Sequence, residues 1–132
     1  MIPGTHNPAV AFPDASANCM KFAYWDGSHY RVEIVSGDYT ATAIRIIFLS
    51  TGIPLVFWLS GSNLKVSVRS AHLGLPGKWM SGAIEAGSSP TVFEAAVNPL
   101  DQIGIIILSD TAVTGRARFV YCTSCTSPTV RP

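Results

Sequence analysis

The chain has 132 residues, of which 48% are hydrophobic and only 13% are charged, and its formal net charge is +1. This length predicts one domain with a sizeable core. The nine Lys and Arg residues are scattered singly, whereas nucleic-acid binding needs basic residues clustered on one face, so a nucleic-acid partner is not expected. The high apolar fraction indicates that a protein partner covers part of the surface.

No stretch of the sequence predicts a membrane span or a signal peptide. A spanning helix needs ~20 apolar residues in a row, and the longest runs here, 43–49 and 53–59, are short and separated by Ser-Thr-Gly. These runs indicate buried strands instead. Residues 1–10 contain neither the basic region nor the apolar region of a signal peptide.

Short strands follow one another along the whole chain. The stretch 20–35 shows the pattern best, because apolar and polar residues alternate on both sides of the turn dipeptide Asp26-Gly27, as in a β-hairpin. The same alternation, interrupted by Gly, Pro, Asn, Asp and Ser, predicts ten strands and no helix. In chain order the predicted strands cover 7–14, 19–25, 30–35, 41–49, 53–59, 64–70, 78–86, 91–97, 103–109 and 116–122.

The strands repeat in residue type as well as in length. Residues 64–69 and 117–122 align with 20–25 without a gap. The matched positions are Lys21 with Lys65 and Arg118, Pro8 with Pro54 and Gly104, and Tyr30 with Trp79. Four strands in each period of ~40 to 50 residues is the signature of a β-propeller blade. The predicted fold class is therefore all-β, with about 2.5 to 3 four-stranded antiparallel blades in the chain.

The stretch CMKFAYWDGSHYRVEIVSGD, at 19–38, resembles a blade repeat of bacterial secreted and surface propellers, which runs approximately LKYAYWDGSSWHIETVDS. Residues 39–70 are similar to the passage from one blade to the next, and the resemblance covers nearly all of 8–122. It implies a propeller fold, distantly like that of sialidase and Asp-box proteins, and an extracellular or cell-surface location. The turn motif Trp25-Asp26-Gly27 is replaced by Arg69-Ser70-Ala71 in the second unit.

The number of blades is too small for a closed ring. One array, 1–124, contains the units 8–36, 37–89 and 90–122 and is followed by a tail at 125–132. The smallest closed propellers have about four blades, and an open array leaves sheet faces and edges in water. We therefore expect closure by self-association, two copies giving about five or six blades, or by a larger assembly.

The three cysteines do not predict a metal site or a cofactor. Cys122 and Cys125 have the CxxC spacing of half a zinc site or of a redox pair, but no ligand-spaced pair of His or Cys is present to complete a zinc site. A redox pair of this kind needs a βαβ setting, which an all-β chain lacks. We favour a local disulfide or two free thiols.

The charged residues do not predict an enzyme. Sialidase-like propellers need an arginine cluster and carboxylates that converge on one site. Most arginines here stand mid-strand in alternating patterns that indicate solvent-facing side chains, and the aspartates stand mainly in turns, where they serve turn geometry. No triad-like spacing is present. A glycoside hydrolase remnant is therefore the least favoured hypothesis for the function of this chain.

A ligand site is predicted at one hairpin turn. Trp25, Asp26, His29 and Tyr30 cluster there, and Trp79 matches Tyr30 in the repeat. Aromatic and acidic side chains of this kind can stack on a sugar and bind its hydroxyl groups. The alternative is that Tyr30 and Trp79 pack between blades and that Asp26 serves only the turn.

Two hypotheses thus stand ahead of the hydrolase remnant. The first is a non-catalytic propeller module that oligomerises as a scaffold or surface subunit, and the second is a lectin-like propeller that binds a glycan. The recurring Lys21, Lys65 and Arg118 either keep one face soluble, which we favour, or ring a surface. Trp58 stands in a fully apolar strand and is expected in the core.

Overall fold

The structure, a computed structural model, describes residues 2, 5, 7–61, 63–85, 90–109 and 116–122. These residues form ten strands and no helix, so no membrane-spanning helix is found among them. The strands are β1 (Ala9–Asp14), β2 (Cys19–Trp25), β3 (Tyr30–Ser36), β4 (Thr42–Phe48), β5 (Pro54–Ser60), β6 (Asn63–Arg69), β7 (Trp79–Glu85), β8 (Pro90–Val97), β9 (Ile103–Ser109) and β10 (Arg116–Cys122). The all-β class is confirmed.

The strands form three antiparallel sheets in chain order, β1–β3, β4–β7 and β8–β10. Within each sheet every strand pairs with the next one along the chain. In the β2–β3 turn, Gly27 adopts a φ of 105°, which glycine reaches without steric cost. In the described residues no sheet closes on itself, and only the middle sheet has the four strands that the blade pattern predicts.

The two central strands of the middle sheet, β5 and β6, are largely buried on both faces, and the three sheets form a stack. All residues of β5 except its last are buried, and Trp58 is 0% exposed, which confirms it as a core residue. The layer between the first and middle sheets contains Met20, Phe22, Tyr24, Val35, Ala41, Val56 and Trp58. The layer between the middle and third sheets contains Ile47, Leu49, Leu55, Phe57, Leu59, Leu64, Val66, Val68, Phe93, Ile103, Ile105 and Ile107.

The strand registers define which residues correspond between sheets, and they correct one match of the repeat. Val68 lies opposite Leu55 in the middle sheet, and its counterpart Tyr121 lies opposite Gly104 in the third. Gly104 therefore corresponds to Leu55, and Ile103 corresponds to the proline that opens β5. With this shift of one residue, β1, β5 and β9 correspond, as do β2, β6 and β10, β3 and β7, and β4 and β8.

Candidate functional site

Four of the five residues that the sequence predicts as ligand-binding lie together at the β2–β3 turn. Trp25 ends β2, Tyr30 begins β3, and Asp26 and His29 lie between them. The turn is closed by a hydrogen bond from the backbone N–H of Asp26 to the carbonyl oxygen of His29, at 3.0 Å. The hairpin that the alternating pattern predicts thus brings these four side chains to one end of the first sheet.

The Asp26 carboxylate is engaged within the turn itself. Its Oδ1 accepts hydrogen bonds from the backbone N–H groups of Ser28 and His29, at 2.8 and 2.7 Å, and its Oδ2 accepts one from Nε of Arg31 at 2.7 Å. The His29 and Arg31 bonds, with the weaker Ser28 bond, hold the pKa of Asp26 well below its usual range. Asp26 therefore stabilises the turn, as aspartate commonly does.

Tyr30 is the accessible aromatic side chain of the turn, whereas Trp25 is half-buried. Tyr30 is 65% exposed, and its ring meets that of Trp25 edge to face, with centroids 4.9 Å apart, a favoured aromatic geometry. The exposed His29 places its Nδ1 2.9 Å from Oγ of Ser28. The turn thus presents an aromatic surface beside an imidazole ring.

Trp79 lies away from this turn, in the gap between the first and middle sheets. Its ring packs on Phe22 with centroids 5.2 Å apart, and its Nε1 donates to Oε1 of Glu33 at 2.8 Å. Tyr30 and Trp79 occupy corresponding positions in their sheets, but only Trp79 has a neighbouring sheet on its side. Trp79 therefore packs between sheets, while Tyr30 faces solvent.

A buried ion pair, which the sequence did not predict, joins Arg69 and Glu33. Arg69 is 2% exposed, and its Nε and Nη2 donate to the two carboxylate oxygens of Glu33, each at 2.8 Å. Further donations go to the carbonyls of Ala71, His72 and Leu75 at 2.9, 2.7 and 2.7 Å, so every donor of the guanidinium is used. The interpretation of Arg69 as a solvent-facing side chain is wrong.

Glu33 stays ionised in this setting. Burial raises its pKa, but the hydrogen bonds from Arg69 and Trp79 outweigh burial and leave the pKa below its usual value. Glu33 belongs to the first sheet, whereas both of its partners belong to the middle sheet. The cluster is a polar clasp between two sheets, with its donors and acceptors engaged with one another.

Asp38, between β3 and β4, forms a second clasp in the same gap. Its Oδ2 accepts a hydrogen bond from Nε1 of Trp58 at 3.0 Å and lies 3.5 Å from Nζ of Lys65. Burial raises the pKa of Asp38, but hydrogen bonds from Ser60, Thr40 and Trp58 outweigh burial, and the pKa lies well below its usual range. The buried indole N–H thus has the partner that such groups usually require.

The recurring lysines are both paired with aspartates. Nζ of Lys21 lies 2.8 Å from Oδ2 of Asp14 within the first sheet, and Lys65 reaches Asp38. The Lys21 hydrogen bond, with one from Ser16, lowers the pKa of Asp14 to about 2. The side chain of the third basic residue, at position 118, lies outside the described side chains.

Apolar side chains cover the solvent-facing side of the first sheet, which we call the β1–β3 outer face. Val10, Tyr30, Val32 and Ile34 are 53%, 65%, 57% and 63% exposed. The register brings them into one patch, because Val10 and Val32 both flank Ala23. The face consists of Val10, Phe12, Lys21, Ala23, Trp25, Tyr30, Val32 and Ile34. Contiguous exposed apolar patches commonly mark interaction surfaces.

The third sheet has a second open face, on the side away from the middle sheet. This β8–β9 outer face consists of Val92, Ala96, Gly104 and Ile106, and Val92 and Ile106 are 50% and 52% exposed. Glu94 lies next to them, but its Oε1 accepts hydrogen bonds from Nε and Nη2 of Arg45 in the middle sheet, at 3.3 and 3.0 Å. A shallow, mainly apolar depression of about 560 Å³ lies on it. The small residues Ala96 and Gly104 form part of its floor.

The described part of the chain contains no group of His, Cys, Asp and Glu suited to a metal ion. Cys19 is a buried free thiol. The alternatives of a local disulfide or two free thiols at Cys122 and Cys125 fall outside the described side chains, and the tail at 125–132 lies outside the described residues.

Comparison with protein-family models, with curated proteins and with solved structures finds no match to this chain. The fold defines the class of the protein as an all-β stack of antiparallel meander sheets. Its function is inferred from the two open sheet faces and the aromatic turn.

Proposed function

We propose that this chain is a non-catalytic structural module that associates with itself through its open sheet faces and so completes a β-propeller. The observation that carries the proposal is the β1–β3 outer face, where Val10, Tyr30, Val32 and Ile34 are each more than half exposed. Removing apolar surface from water is favourable by about 25 cal/mol per Å². A second copy that covers this face therefore stabilises both chains.

The stacking within the chain supports a second copy as the partner. Two gaps between sheets are already filled by apolar layers, so these sheets are suited to packing face on face. Closed propellers have ~4 to 8 blades. One chain has three sheets, whereas two copies have about six, which falls within that range. An extracellular or cell-surface location accords with the propeller resemblance.

The carboxylates favour a structural function over glycoside hydrolysis. A glycosidase needs a general acid whose pKa is raised. Among the described side chains, the carboxylates with displaced pKa values all have them lowered by partners in turns or clasps; they are Asp14, Asp26, Glu33, Asp38 and Asp101. Their ionisation is used to hold strands and turns together.

Sedimentation equilibrium of a face variant tests the proposal. Val32→Asp places a charge in the middle of the β1–β3 outer face, and we expect it to shift the protein from dimer to monomer. Leu75→Asp is the matched control, because Leu75 is 50% exposed and lies in the β6–β7 loop, away from this face. A wild-type protein that is monomeric at every concentration tested contradicts the proposal.

Glycan binding at the β2–β3 turn is the second candidate. The edge-to-face contact of Trp25 with Tyr30, which is 65% exposed, favours it, since such aromatic surfaces can stack on sugar rings. A glycan array should then show a ligand whose binding is lost in Trp25→Ala and weakened in His29→Ala. Binding to no glycan, or binding indifferent to both changes, contradicts this candidate and leaves the structural proposal intact.

A further inference from the structure

The two internal interfaces use corresponding faces of the sheets. In the first sheet, Phe22 faces the middle sheet, and its counterpart in the middle sheet, Val66, faces the third. On the receiving side, Trp58 of the middle sheet meets the first sheet, and its counterpart Ile107 of the third sheet meets the middle one. Each sheet therefore packs on the next in the same sense. We call the face that packs on the following sheet the donating face, and the face that packs on the preceding sheet the receiving face.

The two open faces are the donating face and the receiving face on which no described sheet packs. On the β8–β9 outer face, Gly104 and Ile106 correspond to Leu55 and Phe57, which the middle sheet buries against the third. It is thus a donating face without a receiving sheet among the described residues.

The β1–β3 outer face is the complementary case. Val10 and Phe12 correspond to Val56 and Trp58, which the middle sheet buries against the first. The position of Phe12 follows from its pairing with Lys21, the counterpart of Lys65 opposite Trp58. In the described part of the chain this receiving face has no donor, so each open face matches the other rather than itself.

From this correspondence we infer that two copies of the chain assemble head to tail, the β8–β9 outer face of each packing on the β1–β3 outer face of the other. The inference rests on the proposed function and deepens it, because it states which surfaces meet. Two identical junctions, related by a two-fold axis, close a ring of about six sheets. A dimer in which the β1–β3 outer faces pack on each other is the competing arrangement.

A mixing experiment distinguishes these arrangements. Val32→Asp damages the β1–β3 outer face, and Ile106→Asp damages the β8–β9 outer face. In a head-to-tail dimer each variant alone has a damaged residue at both junctions and becomes monomeric. An equimolar mixture forms a one-to-one heterodimer, because one junction then joins two intact faces. Native mass spectrometry, with one variant carrying a mass tag, counts the species.

The outcomes separate the two proposals. A wild-type monomer contradicts the proposed function itself. A wild-type dimer that survives Ile106→Asp but not Val32→Asp overturns the head-to-tail inference and leaves self-association intact. Two monomeric variants that form no heterodimer at concentrations more than about ten-thousandfold above the wild-type dissociation constant also overturn it, since loss of one of two linked junctions weakens binding by about 10² to 10⁴.

Substitutions at neighbouring positions show whether loss of the dimer is caused by misfolding of one variant. Ile34→Asp and Val92→Asp repeat the experiment on the same two faces, at side chains that are 63% and 50% exposed. Leu75→Asp should leave the dimer unchanged. Circular dichroism and thermal unfolding confirm that each variant is folded before it is mixed, and agreement between the two pairs of variants is the expected result.

Discussion

Arg69 of the middle sheet donates to both carboxylate oxygens of Glu33 in the first sheet, at 2.8 Å each. The guanidinium is 2% exposed, so the attraction between the two charges is little screened by water. Removing either residue leaves a charge in the gap between the sheets without its partner. This clasp therefore makes the stability of the stack depend on two residues that are distant in sequence.

Arg69→Ala should lower the free energy of unfolding by about 3 to 5 kcal/mol, because it leaves Glu33 and three backbone carbonyls without their donor. Urea unfolding monitored by circular dichroism measures the loss. Arg31→Ala is the matched control, because Arg31 makes a one-bond ion pair with Asp26 and its side chain is 60% exposed, and exposed pairs contribute little. Equal losses in the two variants would show that the Arg69 cluster is not a clasp.

Gly77→Ala should destabilise the protein by about 1 to 3 kcal/mol through overpacking. A Cβ at this position would lie 2.9 Å from Cζ and Nη1 of Arg69, and the guanidinium is held by five hydrogen bonds and cannot easily move. Gly37→Ala is the control, because a Cβ there meets nothing within 4 Å. The two variants are compared by thermal unfolding; identical midpoints would contradict the close packing around Arg69.

Stability should fall when the protein is acidified below about pH 4. The pKa values of Glu33 and Asp38 are lowered in the folded state, and that of Asp14 is lowered to about 2. A carboxyl group with a lowered folded pKa stabilises the fold above its unfolded pKa of about 4, and this contribution is lost as the pH falls through the folded value.

Urea unfolding between pH 7 and pH 2, at one protein concentration, tests this dependence. The wild type should show a plateau above about pH 5 and a progressive decrease below it. Asp38→Asn should be less stable at pH 7 and should lose less stability on acidification, because one of the responsible carboxylates has been removed. If its pH dependence equals that of the wild type, Asp38 is not part of the cause.

Local patterning was sufficient to predict the strands. Every predicted strand has an observed counterpart whose bounds differ by at most two residues, because alternation and turn residues act over a few positions. The β2–β3 hairpin was predictable for the same reason, and with it the proximity of Trp25 and Tyr30. The core position of Trp58 was predictable from its apolar neighbours in the strand alone.

The contacts between sheets could not be predicted in this way. Arg69 stands in an alternating strand that is typical of a half-exposed surface, but the middle sheet is covered on both faces, so the polar side of β6 is buried as well. Its partner Glu33 lies 36 positions away in another sheet. Tyr30 and Trp79 show the same limit, since corresponding positions differ in burial according to whether a neighbouring sheet is present.

The mass of the wild-type protein in solution tests the central claim most directly. Light scattering on a size-exclusion column, at micromolar concentration, should give twice the 14.1 kDa of one chain, because each of the two open faces needs a second copy to cover it. A mass of one chain that persists as the concentration is raised would contradict self-association, and with it the completion of a propeller by two copies.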